Sequence, residues 1–314
     1  MARKRRRSRL IMTIVLVLVL GGGLAGAFWP HPTAVDMGQV ARAPMMVTID
    51  EEGRTRVHDA YIVSTPIAGR LLRVQVEPGD TVNGGQTVVA RMRPAVPPAS
   101  GPNSAEARAA VSAVVPLVAP ADGRILRIIQ QDETTLPAGA PVVEIGNIER
   151  DLEVVVNLIS SDAVKVAVGQ DALVEDWGGD NVLRGQVVRV DPFGTTKLSA
   201  LGVEEQRVGV VIALTSPPRD RENLGHGYRV AARIIAWSDD AALTVPASAL
   251  FRDGDGWAVF RVQDGVARQT PVKIGQNNGV LAEVLDGLAD GDSVVLYPSA
   301  GLEDGMDVTQ RVIG

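Results

Sequence analysis

One pattern is written twice in this chain, and no other feature constrains the fold as strongly. Pro66, Gly69, Arg70, Leu72, Arg73, Gly85, Val88 and Val89 recur as Pro120, Gly123, Arg124, Leu126, Arg127, Gly139, Val142 and Val143, always 54 positions later and without a gap. A unit of this length has strand-turn-strand character and one apolar face, too little to build a core unaided. Two copies at one fixed spacing are therefore expected to pack against each other as halves of a single small β-domain.

The remainder of the chain also reads as strands. Aromatic residues make up only 4% of the 314 positions, while 33 glycines and 19 prolines punctuate short Val/Ile-rich runs, a pattern of strands and turns rather than of helical bundles. The predicted class is mainly β. There is no cysteine, which excludes disulfides, thiolate metal sites, a cysteine nucleophile and a lipidated cysteine.

The formal charge of −6 conceals an asymmetry. Arg3, Lys4, Arg5, Arg6, Arg7 and Arg9 crowd the first ten residues, so the body is more acidic than the total implies, and nucleic acid is not an expected partner. An apolar run, residues 10–29, follows directly. As a helix it is long enough for a bilayer core of ~30 Å, and the basic flank keeps the N-terminus in the cytoplasm with everything after Pro30 on the far side. Trp29 stands where an interfacial aromatic belongs, which favours an uncleaved anchor; Ala25-Gly26-Ala27 would also serve as a signal cleavage site. Both readings export the body.

Along the body, residues 37–64 read as a hairpin with a turn at Asp50-Glu51-Glu52-Gly53, leading into the first repeat and joining the last sheet of the chain. Between the repeats, 93–118 opens with Pro94, Pro97, Pro98 and Pro102 and continues Ala-rich, an extended loop followed by two or three helical turns capped by Asn103 or Ser104. Residues 152–158, 171–174, 182–190, 208–214 and 228–236 read as strands, with one short helix at 161–166, a small β-barrel. A last set of strands follows from 239, with Asp264-Gly265 as a hairpin turn.

This layout resembles the HlyD-like periplasmic adaptors, also called membrane fusion proteins, of efflux and secretion systems. The motifs that carry the resemblance are Thr65-Pro66-Ile67-Ala68-Gly69-Arg70-Leu71 through Pro78-Gly79-Asp80-Thr81-Val82, and Ala119-Pro120-Ala121-Asp122-Gly123-Arg124-Ile125 through Ala138-Gly139-Ala140-Pro141. Val245-Pro246-Ala247-Ser248-Ala249-Leu250 and Gly287-Leu288-Ala289-Asp290-Gly291-Asp292-Ser293-Val294-Val295 add to them. The resemblance implies a basic cytoplasmic segment (1–9), a transmembrane helix (10–29), and a linker with the first part of a membrane-proximal β-domain (30–64). It then implies a lipoyl-like β-sandwich from two half-motifs (65–92 and 119–147) around a short insertion (93–118), a β-barrel (148–237) and the rest of the membrane-proximal domain (238–314). It further implies an inner-membrane transporter as partner, a homo-oligomeric ring, and a body held in the periplasm by a single-pass span. The departure from the family is the insertion, too short at ~1.5 Å per helical residue to reach an outer-membrane channel as a long hairpin does. A stand-alone envelope scaffold or regulatory binding module is the alternative reading.

Candidate sites are few. True lipoyl and biotinyl domains carry a modified lysine between their halves, whereas Ala90-Arg91-Met92-Arg93 occupies that stretch here and the lysines are Lys4, Lys165, Lys197 and Lys273. No cofactor is expected. His31, His58 and His226 lack metal spacing; Met37, Met45 and Met46 fit a soft cation such as Cu(I) but are more simply core, and Asp176 and Asp180 around a Gly turn hint at calcium but are more simply a hairpin loop with solvated ends. No nucleophile elbow, P-loop or dinucleotide fingerprint is present, so neither catalytic nor metal residues are assigned. Arg70, Arg73, Arg124 and Arg127 recur in both halves and are the candidate protomer-interface residues, with solvated strand arginines as the simpler reading.

Overall fold

A computed structural model describes residues 32–95, 114–199 and 202–311. The apolar run 10–29 and most of the insertion, 96–113, lie outside the described residues, as do His31 and the expected caps Asn103 and Ser104. Among the described residues no helix is long and apolar enough to cross a membrane. The chain divides into two compact units, Thr48–Ala236 and a second formed by Met1–Val47 with Trp237–Gly314.

Within the first unit, the repeats build one sandwich of two four-stranded sheets. One sheet runs Tyr61–Ser64, Pro141–Gly146, Gly123–Ile128, Thr81–Val82; the other runs Val115–Val118, Val88–Pro94, Gly69–Leu71, Thr134–Leu136. Moving every strand of one sheet by the 54-residue offset, forward for the first half and back for the second, gives the other sheet in the same order. The halves are thus interleaved, each sheet taking two strands from each copy, and neither copy has a sheet of its own. Loop geometry follows the same symmetry. The Gly85 amide donates to the Ala119 carbonyl at 2.8 Å and the Gly139 amide to the Thr65 carbonyl at 2.7 Å, both glycines having positive φ (73° and 82°). One core, with Leu71, Met92, Ile125 and Ile145 among its largest fully buried members, is shared by both copies.

Strand pairing carries the sandwich further into the insertion than the sequence indicated. Met92 faces Val115 and Ala90 faces Leu117, so residues 93, 94 and 115–118, assigned above to the insertion, belong to the sheet. Alternating burial explains why: Val115 packs against the core and Leu117 is within it.

The same unit holds a barrel. Asp171–Glu175, Leu183–Leu198, Glu204–Leu214, Leu152–Ile159, Ala41–Val57 and Arg229–Pro246 pair in that order, and Asp171–Glu175 also pairs with Arg229–Pro246, which closes the ring and leaves these strands no free edge. Val154, Val156, Leu158, Val174, Leu183, Ile212 and Ile234 fill it; Ala163 of the short helix Ser160–Ala163 and Val166 beyond it complete the core.

The turn expected at 50–53 is absent. Ala41–Val57 is one uninterrupted strand, whose residues 53–57 pair with 152–156, while Tyr61–Ser64 joins the sandwich, so only part of the expected 37–64 hairpin lies with the last sheet. The acidic run signalled a turn but is neutralised in extended conformation: Glu51 pairs with Arg207 at 2.7 Å and Asp50 with Arg233 at 3.3 Å. Gly53 is needed for close packing rather than for a bend, since a Cβ there would lie 2.7 Å from Val156 Cγ1.

In the second unit, Leu281–Asp286, Val266–Asn277, Gly256–Gln263, Ser293–Leu296, Thr33–Gln39 and Val308–Gln310 are neighbours in that order. Asp264 and Gly265, both at positive φ (51° and 76°), make the two-residue turn expected from the sequence. Val259, Ala282, Val294 and Val245 lie in one core cluster and Phe260, Ala267 and Val295 in another.

Candidate functional site

The sandwich and the barrel are connected by two crossings of the chain, and two buried charged residues of unit Thr48–Ala236, Arg221 and Glu153, lie there. The second crossing is the single-turn helix Ile148–Asp151, begun by Asn147, whose Oδ1 accepts from the Arg150 amide at 2.8 Å. Its carbonyls face the barrel turn Pro218–Arg221. Arg221 is 5% exposed and donates through Nη1 to the Ile148 carbonyl at 3.0 Å and through Nη2 to the Glu149 carbonyl at 2.9 Å. Burial pulls its pKa below the usual arginine value, opposed by the charge of Glu149.

Glu149 is also held from the sandwich side. Arg124 Nε donates to Glu149 Oε1 at 2.8 Å, and that bond holds the carboxyl below its ordinary pKa against the opposing effect of burial. A repeat arginine, a helix of the crossing and a barrel arginine therefore form one chain of contacts, beside an open cleft of about 580 Å³ lined by Arg219, Glu222, Asn223 and Tyr228 as well. At the first crossing the His58 amide donates to the Asp151 carbonyl at 2.8 Å, and the largely buried Glu153 accepts from Arg56 and lies 3.3 Å from His58 Nδ1. The two crossings are thereby tied to each other.

The four repeat arginines are all partly exposed, and each has a partner in its own chain. Arg70 Nη2 donates to Glu133 at 2.7 Å; Arg124 Nη1 donates to the Gly79 carbonyl at 3.3 Å, the position equivalent to Glu133 in the other half. Arg73 lies 3.6 Å from Asp132, and Arg127 donates to the buried Glu144. The structure therefore brings Arg124 into the junction and leaves Arg70, Arg73 and Arg127 on the sandwich surface. Sequence reading missed Arg221, Glu149 and Glu153. Arg221 lies in Pro218-Arg219-Asp220-Arg221-Glu222, which by composition is a solvated turn, and only tertiary packing distinguishes it from Arg219.

Among the described residues no group of three His, Asp or Glu side chains is placed to hold a metal. His226 Nδ1 accepts from the Val57 amide at 3.1 Å, a structural use, and Trp177 Nε1 donates to the Asn181 carbonyl at 2.7 Å, closing the loop that carries Asp176 and Asp180. Met45 is core, whereas Met46 is exposed.

Residues 242–310 match the family described as YknX, C-terminal permuted SH3-like domain. The chain is 32% identical over 173 residues to the putative efflux system component YknX of Bacillus subtilis, covering 54% of this chain and 44% of that protein. It is 31% identical over 136 residues to the nickel and cobalt resistance protein CnrB of Cupriavidus metallidurans, covering 43% and 32%. The chain thus matches less than half the length of either relative. In fold it is similar to MacA from Actinobacillus actinomycetemcomitans, with a TM-score of 0.62 at 14% identity over 83% of this chain and 99% of that one. Duplicated sandwich, closed barrel, matched C-terminal domain and these likenesses agree with one another and support the resemblance to the HlyD-like membrane fusion proteins.

Proposed function

We propose that the chain is the non-catalytic adaptor subunit of an inner-membrane efflux or secretion transporter. In this reading residues 10–29 anchor it with the N-terminus in the cytoplasm and the body in the periplasm, and copies assemble as a ring around the transporter. The observation that carries the proposal is the sandwich bolted to a closed barrel, an arrangement suited to relaying movement mechanically, since the polar ties at the two crossings transmit force without a catalytic group. The relatives named as efflux and resistance proteins support the same role; their cargo is theirs and is not assigned to this chain. The reading requires no outer-membrane channel. Of the four repeat arginines, Arg70 and Arg73 beside one sheet and Arg127 on the other mark the surfaces by which sandwiches of neighbouring copies meet, exchanging or sharing their intrachain acids, while Arg124 serves the junction.

Affinity capture of the tagged full-length chain after crosslinking in its native membranes tests the proposal. Recovery of higher-order copies together with an integral-membrane transporter is expected; monomer alone, with no transporter, would overturn it and favour the stand-alone scaffold.

A further inference from the structure

In the unit that includes residues 237–314, three stretches without a single Asp, Glu, Lys or Arg meet, although 22% of the chain is charged: residues 241–251, 274–282 and 293–302. Backbone bonds fasten them together. The Ala247 amide donates to the Val280 carbonyl at 2.9 Å, and the Tyr297 amide to the Ser248 carbonyl at 2.8 Å. Two large side chains stand out from this junction, Tyr297 at 76% and Val280 at 74% exposure. Tyr297 is also held at φ 48°, a left-handed conformation that an aromatic residue rarely adopts and that neighbouring structure must enforce. Burial in the core does not account for it, because the ring is in solvent.

The position of this patch names its occupant. Asp36 faces Leu296 across the strand pair, so Tyr297 lies level with Val35, two residues from Thr33 where the first strand begins. Thr33 follows Trp29 by four residues, so the strand start is within ~14 Å along the chain of the end of the apolar run. Residues 30–35 also contain no Asp, Glu, Lys or Arg, and Asp36 beside them pairs with Arg311 at 3.1 Å. We infer that this uncharged end rests in the headgroup region of the lipid bilayer, with Tyr297 and Val280 as its inserted side chains. Tyrosine suits that depth, its ring apolar and its hydroxyl wet. A neutral patch takes its affinity from apolar contact, so zwitterionic lipid suffices. The inference rests on the proposed anchoring by residues 10–29.

Because the chain has no cysteine, single-cysteine labelling is unambiguous. Tyr297→Cys, Val280→Cys and, as a control on the exposed sandwich strand Thr134–Leu136, Thr135→Cys would each carry a nitrobenzoxadiazole fluorophore in the full-length chain. Each is reconstituted into phosphatidylcholine vesicles with or without acyl-chain bromine. Flotation with the vesicles, a blue-shifted emission and a loss of about twofold in intensity on bromination at 297 and 280, with neither change at 135, is the expected result. Flotation with labels at 297 and 280 as wet and unquenched as at 135 overturns this inference and leaves the anchor standing. Failure to float overturns both. Burial of the two labels only when a transporter is added would assign the patch to a protein partner and contradict the lipid.

Discussion

The Arg221 guanidinium, buried in the barrel's turn, donates to the main-chain carbonyl of Glu149 at 2.9 Å, in the helix through which the chain passes from sandwich to barrel. A buried cation used on carbonyl oxygens rather than on a carboxylate is a positional device. It fixes where one domain's backbone ends against another, and its removal leaves the Ile148 and Glu149 carbonyls without this donor.

Arg221→Met should therefore loosen the junction while leaving both cores packed. Loss of two charge-assisted bonds, less the cost of burying the charge, gives a destabilisation of about 1–3 kcal/mol. Thermal unfolding of the full chain checks the loss, and hydrogen exchange should localise it to residues 147–152 and 218–225. Arg219→Met, at a side chain four-fifths exposed and 3.7 Å from Asp220, should change neither.

Acid should weaken the same junction from the sandwich side. The folded-state pKa of Glu149 lies below its ordinary 4.5 because Arg124 donates to it, so its contribution is present above 4.5 and disappears as pH falls through the depressed value. Glu149→Gln should remove that acid-limb dependence and leave the neutral-to-alkaline profile unchanged, measured as melting temperature against pH.

A shared core predicts coupling between the copies. Leu71 and Ile125 are equivalent in the repeat and both fully buried in one cluster. Leu71→Ala and Ile125→Ala should each cost roughly 2–5 kcal/mol, and the double variant should depart from additivity by at least ~0.5 kcal/mol. Strict additivity in denaturant unfolding would argue for two separate cores.

Gly69 and Gly79 separate packing from conformation. A Cβ at Gly69 collides with the Arg93 carbonyl, so Gly69→Ala should unfold the sandwich; Gly79 has open space around it and a φ of 94°, so Gly79→Ala should cost only about 1–2 kcal/mol of backbone strain. Circular dichroism with thermal melting distinguishes the two outcomes.

The repeat was legible because identical residues at one offset must occupy equivalent places, and the barrel strands because Val and Ile runs are bounded by Gly, Pro and Asp. The interleaving of the halves was not legible, since spacing says that two copies pack but not which strands they exchange. Asp50-Glu51-Glu52-Gly53 misled as a turn because its neutralising partners, Arg207 and Arg233, lie more than a hundred residues away in sequence. Arg221 was unreadable because the carbonyls it meets, Ile148 and Glu149, are likewise remote in sequence. Arg124 stood out by its recurrence as a candidate protomer-interface residue, and its place in the junction was not legible because its contact with Glu149 depends on a helix outside the repeat.

The most direct measurement is a pairwise crosslink between two versions of the chain, Arg73→Cys in one and Arg127→Cys in the other, co-expressed in native membranes that contain the transporter. If the chain acts as a ring-forming adaptor whose sandwiches meet first half to second half, oxidation yields a mixed dimer that co-purifies with the transporter, and neither version crosslinks to itself. Uncrosslinked monomer that leaves the transporter behind would contradict it.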